Sequence, residues 1–326
     1  MEYRNFGRTG LDVSTLIFGA GNVGGILIGK DDDTKRAAIR AALDGGINWI
    51  DTASRYGDGV SEKSLGWLLA EIDDTPFVST KFNLDTDRLD DIPGQIEESL
   101  HDSLARLGRD SVDLLQLHNR IGPAVEGRVI GVDNVLGPGG VAEALEKLRD
   151  KGLFRFMGIT ALGDTACCRR VIESGRFDSA QIYYNLLNPS AGRPMPAGWA
   201  AQDFGGLIDV CHDNGVAVIV IRPFAAGVIA TDQRTGRESV LTTGTDIASE
   251  ERHARAVFDA LGDDYGTRAQ TALRFVLANP KISCIDVGIG ELSHIDEALG
   301  AAALGPLPDA ALARLDELYA SNFGAS

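Results

Sequence analysis

The stretch GGINWIDTASRYGDGVSEKSLGWLL, residues 45–69, runs from an apolar segment through a polar break into a helix-like pattern. NWIDTA (48–53) is short and apolar, while VSEKSLGWLLAEI (60–72) repeats apolar residues at three- and four-residue spacing. Together they read as one strand–loop–helix unit. The break, DTASRY, places Asp51 and Tyr56 where the strand ends. Ionisable groups just beyond a strand are ordinarily solvated, so their meaning depends on what other segments bring to the same place.

The same unit recurs. Strand-length apolar runs stand at STLIFGA (14–20), NWIDTA (48–53), PFVSTKF (76–82), VDLLQLH (112–118), FRFMGIT (154–160), SAQIYY (179–184), VAVIVIRPF (216–224) and ISCIDVGI (282–289). Amphipathic patterns such as TKRAAIRAALDGG, IPGQIEESLHDSLARLG, GVAEALEKLRDKG and DTACCRRVIESG lie between them. Short apolar strands separated by helices pair in parallel, because a parallel neighbour is reached only through a crossover. Eight such units predict closure into an α/β (β/α)8 TIM barrel, with active groups on the loops after the strands. A doubly wound open sheet is the rival, but GAGNVGG after the first strand has glycines without the G-x-G-x-x-G spacing. An N-terminal β-hairpin turning at Arg8-Thr9-Gly10 precedes the barrel, and PDAALARLDELYASN adds a C-terminal helix. With no linker in sight, residues 1–326 read as a single barrel domain. Two long loops, NRIGPAVEGRVIGVDNVLGPGG after strand four and NLLNPSAGRPMPAGWAAQDFGG after strand six, fall on the catalytic rim.

Composition narrows the class. Apolar residues make up 44% and charged residues 24%, an ordinary globular balance. Forty-seven acidic against 31 basic side chains give a net charge of −16, which disfavours nucleic acid as a partner. Acidic runs such as Asp31 to Asp33 read as helix starts and solvated loops. No run approaches the ~18 apolar residues of a membrane span and no signal-peptide profile opens the chain, so the expected address is the cytoplasm. The cysteines, Cys167, Cys168, Cys211 and Cys284, lack zinc or redox spacing and are expected to be buried thiols. No metal site is expected.

If strands two, three and four are neighbours, Asp51 and Tyr56, Lys81 in STKF and His118 in LLQLH emerge at one rim. An ammonium at a strand end is costly unless paired, and Asp51 supplies the pair. The ammonium in turn is expected to pull the Tyr56 phenol down toward working pH. Hydride delivery to a carbonyl carbon leaves charge on oxygen, so Tyr56 would be the proton donor and His118 an orienting donor. The other histidines, His101, His212, His253 and His294, lie in helix-like segments.

GINWIDTASRYGDGVSEKSLG, STKF and DLLQLH, with NFGRTGLDVSTLIFGAG at the start, resemble the aldo-keto reductase superfamily essentially end to end, bacterial aldose and sugar dehydrogenase branches among them. The resemblance implies a catalytic tetrad of Asp51, Tyr56, Lys81 and His118. It implies a nicotinamide dinucleotide across the barrel top, with Thr160 and Gln181 at the carboxamide and Arg222, Phe224 and Ala226 in the turn around the pyrophosphate. Gly288, Gly290 and His294 fall at the adenosine phosphate. Ala161 stands where an Asn is common and Ile221 where an aromatic ring often stacks on the nicotinamide. Glu291 and the absence of Lys or Arg near it favour NAD(H) over NADP(H). The implied substrate is a small carbonyl compound, an alcohol or a sugar, and the sequence is silent on oligomeric state. A second reading is a regulatory or scaffolding subunit that keeps fold and cofactor and binds a protein partner, as potassium-channel β-subunits do. A third, a barrel aldolase or isomerase with Lys81 as Schiff base, is opposed by Asp51, which would keep that lysine protonated.

Overall fold

The computed structural model describes residues 1–234, 236 and 238–324. Eight strands run parallel and close on themselves in chain order: β1 (Leu16–Gly19), β2 (Trp49–Asp51), β3 (Phe77–Phe82), β4 (Val112–Leu117), β5 (Phe154–Thr160), β6 (Ser179–Tyr183), β7 (Ala217–Ile221) and β8 (Cys284–Gly288). Crossovers are made by α1 (Asp32–Asp44), α2 (Val60–Ala70), α3 (Ile92–Leu107), α4 (Val141–Asp150), α5 (Thr165–Glu173), α6 (Leu207–Asp213), and the pair α7 (Ile247–Leu261) and α8 (Arg268–Leu277). After β8 come α9 (Leu292–Leu304) and α10 (Asp309–Ala320), the extra C-terminal helix. The barrel expectation therefore holds, with strand ends shorter than the apolar runs: Arg222, Pro223 and Phe224 have left the sheet. The long segment after β4 is not plain loop, since Arg120–Gly122 pairs with Val129–Gly131 and Val132–Leu136 is helical.

Alternation along each strand sorts the core. Ile50, Val78, Leu115, Ile159, Val218 and Val287 point outward into the large cluster shared with the helices. Ile17, Trp49, Leu114, Ile219 and Cys284 point inward and meet Phe6, Leu11 and Val13 of the hairpin, whose strands Tyr3–Asn5 and Asp12–Ser14 are antiparallel. The hairpin thus plugs the barrel floor, with the Phe6 and Trp49 rings 4.8 Å apart. One step up β2, β3, β4 and β6, the inward residues are polar: Asp51, Ser79, Gln116 and Ser179 are all buried. Because side chains two apart share a face, the switch from Trp49 to Asp51 needs no irregularity in the strand.

Acidic residues cap helices as expected: Asp31 accepts from the Thr34 backbone N–H and Asp91 from that of Gly94. Burial raises the Cys168 and Cys211 thiols to about 12, and all four cysteines are free and buried. Among the described residues, no helix is long and apolar enough to cross a membrane and no His/Cys/Asp/Glu group could hold a metal ion.

The opening stretch also locks its own unit in place. Ser61 donates to the Ala20 carbonyl (3.1 Å), and buried Glu62 takes Arg106 of α3 (2.6 Å) and the Thr80 hydroxyl of β3 (2.5 Å). Gly66 lets α2 lie directly on α3: a Cβ there would stand 2.7 Å from the Arg106 carbonyl oxygen. Gly66→Ala should therefore force the helices apart and cost about 1–3 kcal/mol, read as a lowered denaturation midpoint with unchanged secondary structure.

Candidate active site

Lys81 and Asp51 meet inside the barrel because β2 and β3 pair with Asp51 opposite Ser79, which sets Lys81 one inward step higher. Their side chains form a direct ion pair and are 0% and 1% exposed. The ammonium also donates to the Thr52 carbonyl (2.9 Å) and the Tyr56 hydroxyl (3.2 Å). Asp51 accepts from Ser79 (2.5 Å) and Gln116 (3.2 Å), and Ser79 in turn accepts from the Trp49 indole (2.9 Å). Burial pushes the ammonium toward neutrality, but Asp51, with Tyr56 and a further carboxyl at Asp286, outweighs it and holds Lys81 above the ordinary lysine range.

Tyr56 corrects the sequence reading. Burial raises its phenol above the ordinary value, and Asp51 and Asp286 raise it further, against the opposing pull of Lys81. The sequence showed the ammonium but not how dry the site is. His118 stands edge-on to Tyr56, ring centroids 5.9 Å apart at 85°, and its backbone N–H donates to the Phe82 carbonyl (2.9 Å). Burial first, then Lys81, Arg55 and Arg128, lower its imidazole to about 3, so it is neutral at working pH. Arg55 and Arg128, on the rims after β2 and β4, were not singled out by sequence.

A cavity of about 930 Å³ opens over Tyr56 and His118 and runs to the start of α9. All eight residues matched to cofactor contacts, Thr160, Gln181, Arg222, Phe224, Ala226, Gly288, Gly290 and His294, line it. Thr160 donates to the Gln181 side-chain oxygen (3.2 Å), leaving the buried Gln181 amide nitrogen without a partner. An orphaned buried N–H costs free energy until something accepts from it, and a carboxamide oxygen suits that place. Ile221 and the Phe224 ring give the cavity an apolar side.

The turn after β7 is strained. Arg222, Ala225 and Ala226 have φ of 59°, 45° and 58°, a region non-glycine residues enter at a cost. Asn185 holds the Arg222 carbonyl (3.0 Å), and the guanidinium donates to the Ser239 carbonyl (3.1 Å). At the far end His294 accepts from the Gly290 N–H (3.2 Å), and Lys30 pairs with Glu291 at 2.5 Å. Lys30 belongs to the segment after β1, so a search of the residues around Glu291 alone overlooks it.

Comparison with known proteins identifies the family of the chain and the fold. The model of the "Aldo/keto reductase family" matches residues 15–320. An L-galactose dehydrogenase of Arabidopsis thaliana is 29% identical, over 92% of this chain and 88% of its own. A D-threo-aldose 1-dehydrogenase of Pseudomonas sp. is 31% identical, over 70% and 71%. Aldo-keto reductase AKR11C1 from Bacillus halodurans, in its holo form, has the same fold, with a TM-score of 0.76 at 22% identity, covering 98% of this chain and 96% of that one.

The depressed His118 value has a signed consequence. Between about 3 and the ordinary ~6.5 the unfolded chain binds a proton that the folded one refuses. Stability from this group is complete above the upper limit and is lost as pH falls through the window, by at most ~1.4 kcal/mol per unit. Stability curves from pH 7 to 4 should be flatter in His118→Gln, and the His118 ring resonances of the wild type should not titrate between pH 5 and 8.

Proposed function

Because the chain belongs to the aldo/keto reductase family, whose oxidoreductases use a nicotinamide cofactor, we propose that it moves a hydride between NAD(H) and the carbonyl or alcohol carbon of an aldose-like substrate, with Tyr56 exchanging the proton. The observation that carries this reading is the convergence of Lys81, Tyr56 and neutral His118 at the mouth of a dinucleotide-sized cavity.

In reduction, bound NADH would supply the hydride. The residues of the chain handle the charge that then appears on the substrate oxygen. Tyr56 keeps its proton at working pH and is ready to donate it. The phenolate left behind faces Lys81, whose charge Asp51 secures. A neutral imidazole carries one ring N–H, so His118 can donate a hydrogen bond to the same oxygen without adding a charge. In the oxidative direction Tyr56 must first lose its proton, and the dry site opposes that, so alcohol oxidation should rise with pH on the alkaline side.

The aldose preference rests on the sugar dehydrogenases among the relatives. NAD(H) is favoured because, among the described residues, the lysine at the adenosine end, Lys30, is already paired with Glu291. A 2′-phosphate needs a free cation.

Tyr56→Phe should lower turnover by about 10²–10⁴ while NADH affinity, followed by fluorescence titration, stays near the wild type; undiminished turnover would refute the assignment. Glu291→Gln frees Lys30 and should shift the NADPH-to-NADH affinity ratio upward by about tenfold, the worth of one charge-assisted contact. An unchanged ratio would remove Lys30 from the cofactor site.

A further inference from the structure

The strand that closes the barrel carries a carboxyl that the proposed reaction does not use. Ile285 and Val287 of β8 pack among the helices while Cys284 faces inward, so Asp286 faces inward as well. It lines the cavity that opens over Tyr56 and His118. The neighbouring strand β1 and its exit make room for it. Phe18 and Ala20 point outward, which leaves Gly19 and Gly21 on the inner face. A Cβ on Gly19 would collide with the Asp286 carboxyl oxygen, and one on Gly21 would stand 3.5 Å from the Tyr56 ring and 3.7 Å from its hydroxyl. The carboxyl and the phenol therefore border one bare stretch of backbone, at points about 7 Å apart along it.

Of the acids lining the cavity, Asp286 is the one on a barrel strand; Glu291 and Glu297 belong to the start of α9 and Glu238 to the segment after β7. None of the ion pairs among the described residues includes Asp286, and the ammonium buried in the barrel, Lys81, is taken by Asp51. Burial, with Asp51, holds the Asp286 carboxyl above the ordinary range against the pull of Lys81, so its ionised form is one that an arriving cation would stabilise. A nicotinamide is such a cation in one redox state only: its ring is positively charged when oxidised and neutral when reduced. A ring with its carboxamide at Thr160 and Gln181 and its ribose leading toward Gly288 crosses the cavity beside β8. Its reacting carbon must also come within about 3–3.5 Å of a substrate carbon whose oxygen is at Tyr56.

We propose that Asp286 lies beside the nicotinamide and, as a carboxylate, holds the oxidised cofactor in preference to the reduced one. The proposal rests on the chain using NAD(H). Its consequence is a direction of loading: the protein fills with NAD+, the form that accepts hydride from an alcohol, and lets NADH go after each oxidation. The attraction is lost when the ring becomes neutral, so hydride acceptance on the enzyme becomes less favourable by the same factor that tightens NAD+.

The test reads affinities and needs no turnover. NADH is titrated by its fluorescence and NAD+ by displacement of NADH, in the wild type and in Asp286→Asn, which keeps the shape of the side chain and removes its charge. The ratio of the NAD+ to the NADH dissociation constant should rise about tenfold in Asp286→Asn, through weaker NAD+ binding, the worth of one charge-assisted contact. Asp286→Ser, smaller and also uncharged, should move the ratio the same way. A ratio that stays put or falls, in whichever variant folds, overturns the proposal. Wild-type protein that binds neither nucleotide would sink the nicotinamide reading and this inference with it, whereas binding of both with an unchanged ratio sinks this inference alone.

Discussion

A lysine ammonium fully enclosed by a barrel is the constraint from which the rest of this site follows. Taking such an ion out of water costs several kcal/mol, and removing one partner of a buried pair typically costs ~3–5 kcal/mol because the other is left uncompensated. Lys81 meets that cost with Asp51 and the Thr52 carbonyl. Asp51 is held in turn by Ser79 and Gln116 from the next two strands. Sheet register is thus part of the electrostatics: β2, β3 and β4 must be adjacent and aligned for the pair to exist.

The same enclosure decides the state of everything around the pair. Drying the site raises Tyr56 and lowers His118, which suits a phenol that gives a proton and an imidazole that donates a hydrogen bond while uncharged. Strands hold Asp51 and Lys81 and, on the cofactor side, Thr160, Gln181 and Gly288, whereas Tyr56, His118 and the rest of the cradle stand on the loops and the helix start beyond them. The cradle's strained segment from Arg222 to Ala226 is kept in shape by Asn185 and by the Arg222 bond to Ser239. Strain of that kind persists where surrounding bonds over-determine it.

Much of this is legible in the chain. Strand-length apolar runs and helix-length crossovers gave the barrel, and because each strand end points to one rim, Asp51, Tyr56, Lys81 and His118 could be assembled from the sequence. Asp286 was less visible: inside ISCIDVGI it looks like one polar interruption, and only closure of β8 onto β1 beside Gly19 places it in the cavity. An acid on the inner face of an apolar strand was the available signal. Lys30 was hidden for a different reason, since its partner Glu291 is 261 residues away. The direction of the Tyr56 shift could not be read at all, because it depends on how completely the hydroxyl is dried, and types and spacing do not report that.

The central claim is that the charge on Lys81 governs the proton on Tyr56. The most direct measurement is a phenolate absorbance titration of the cofactor-free protein, with the Tyr56 component isolated by subtracting Tyr56→Phe, in the wild-type background and in Lys81→Met. The account predicts that the midpoint rises by about one unit or more when the ammonium is removed. A midpoint that stays in place would contradict it.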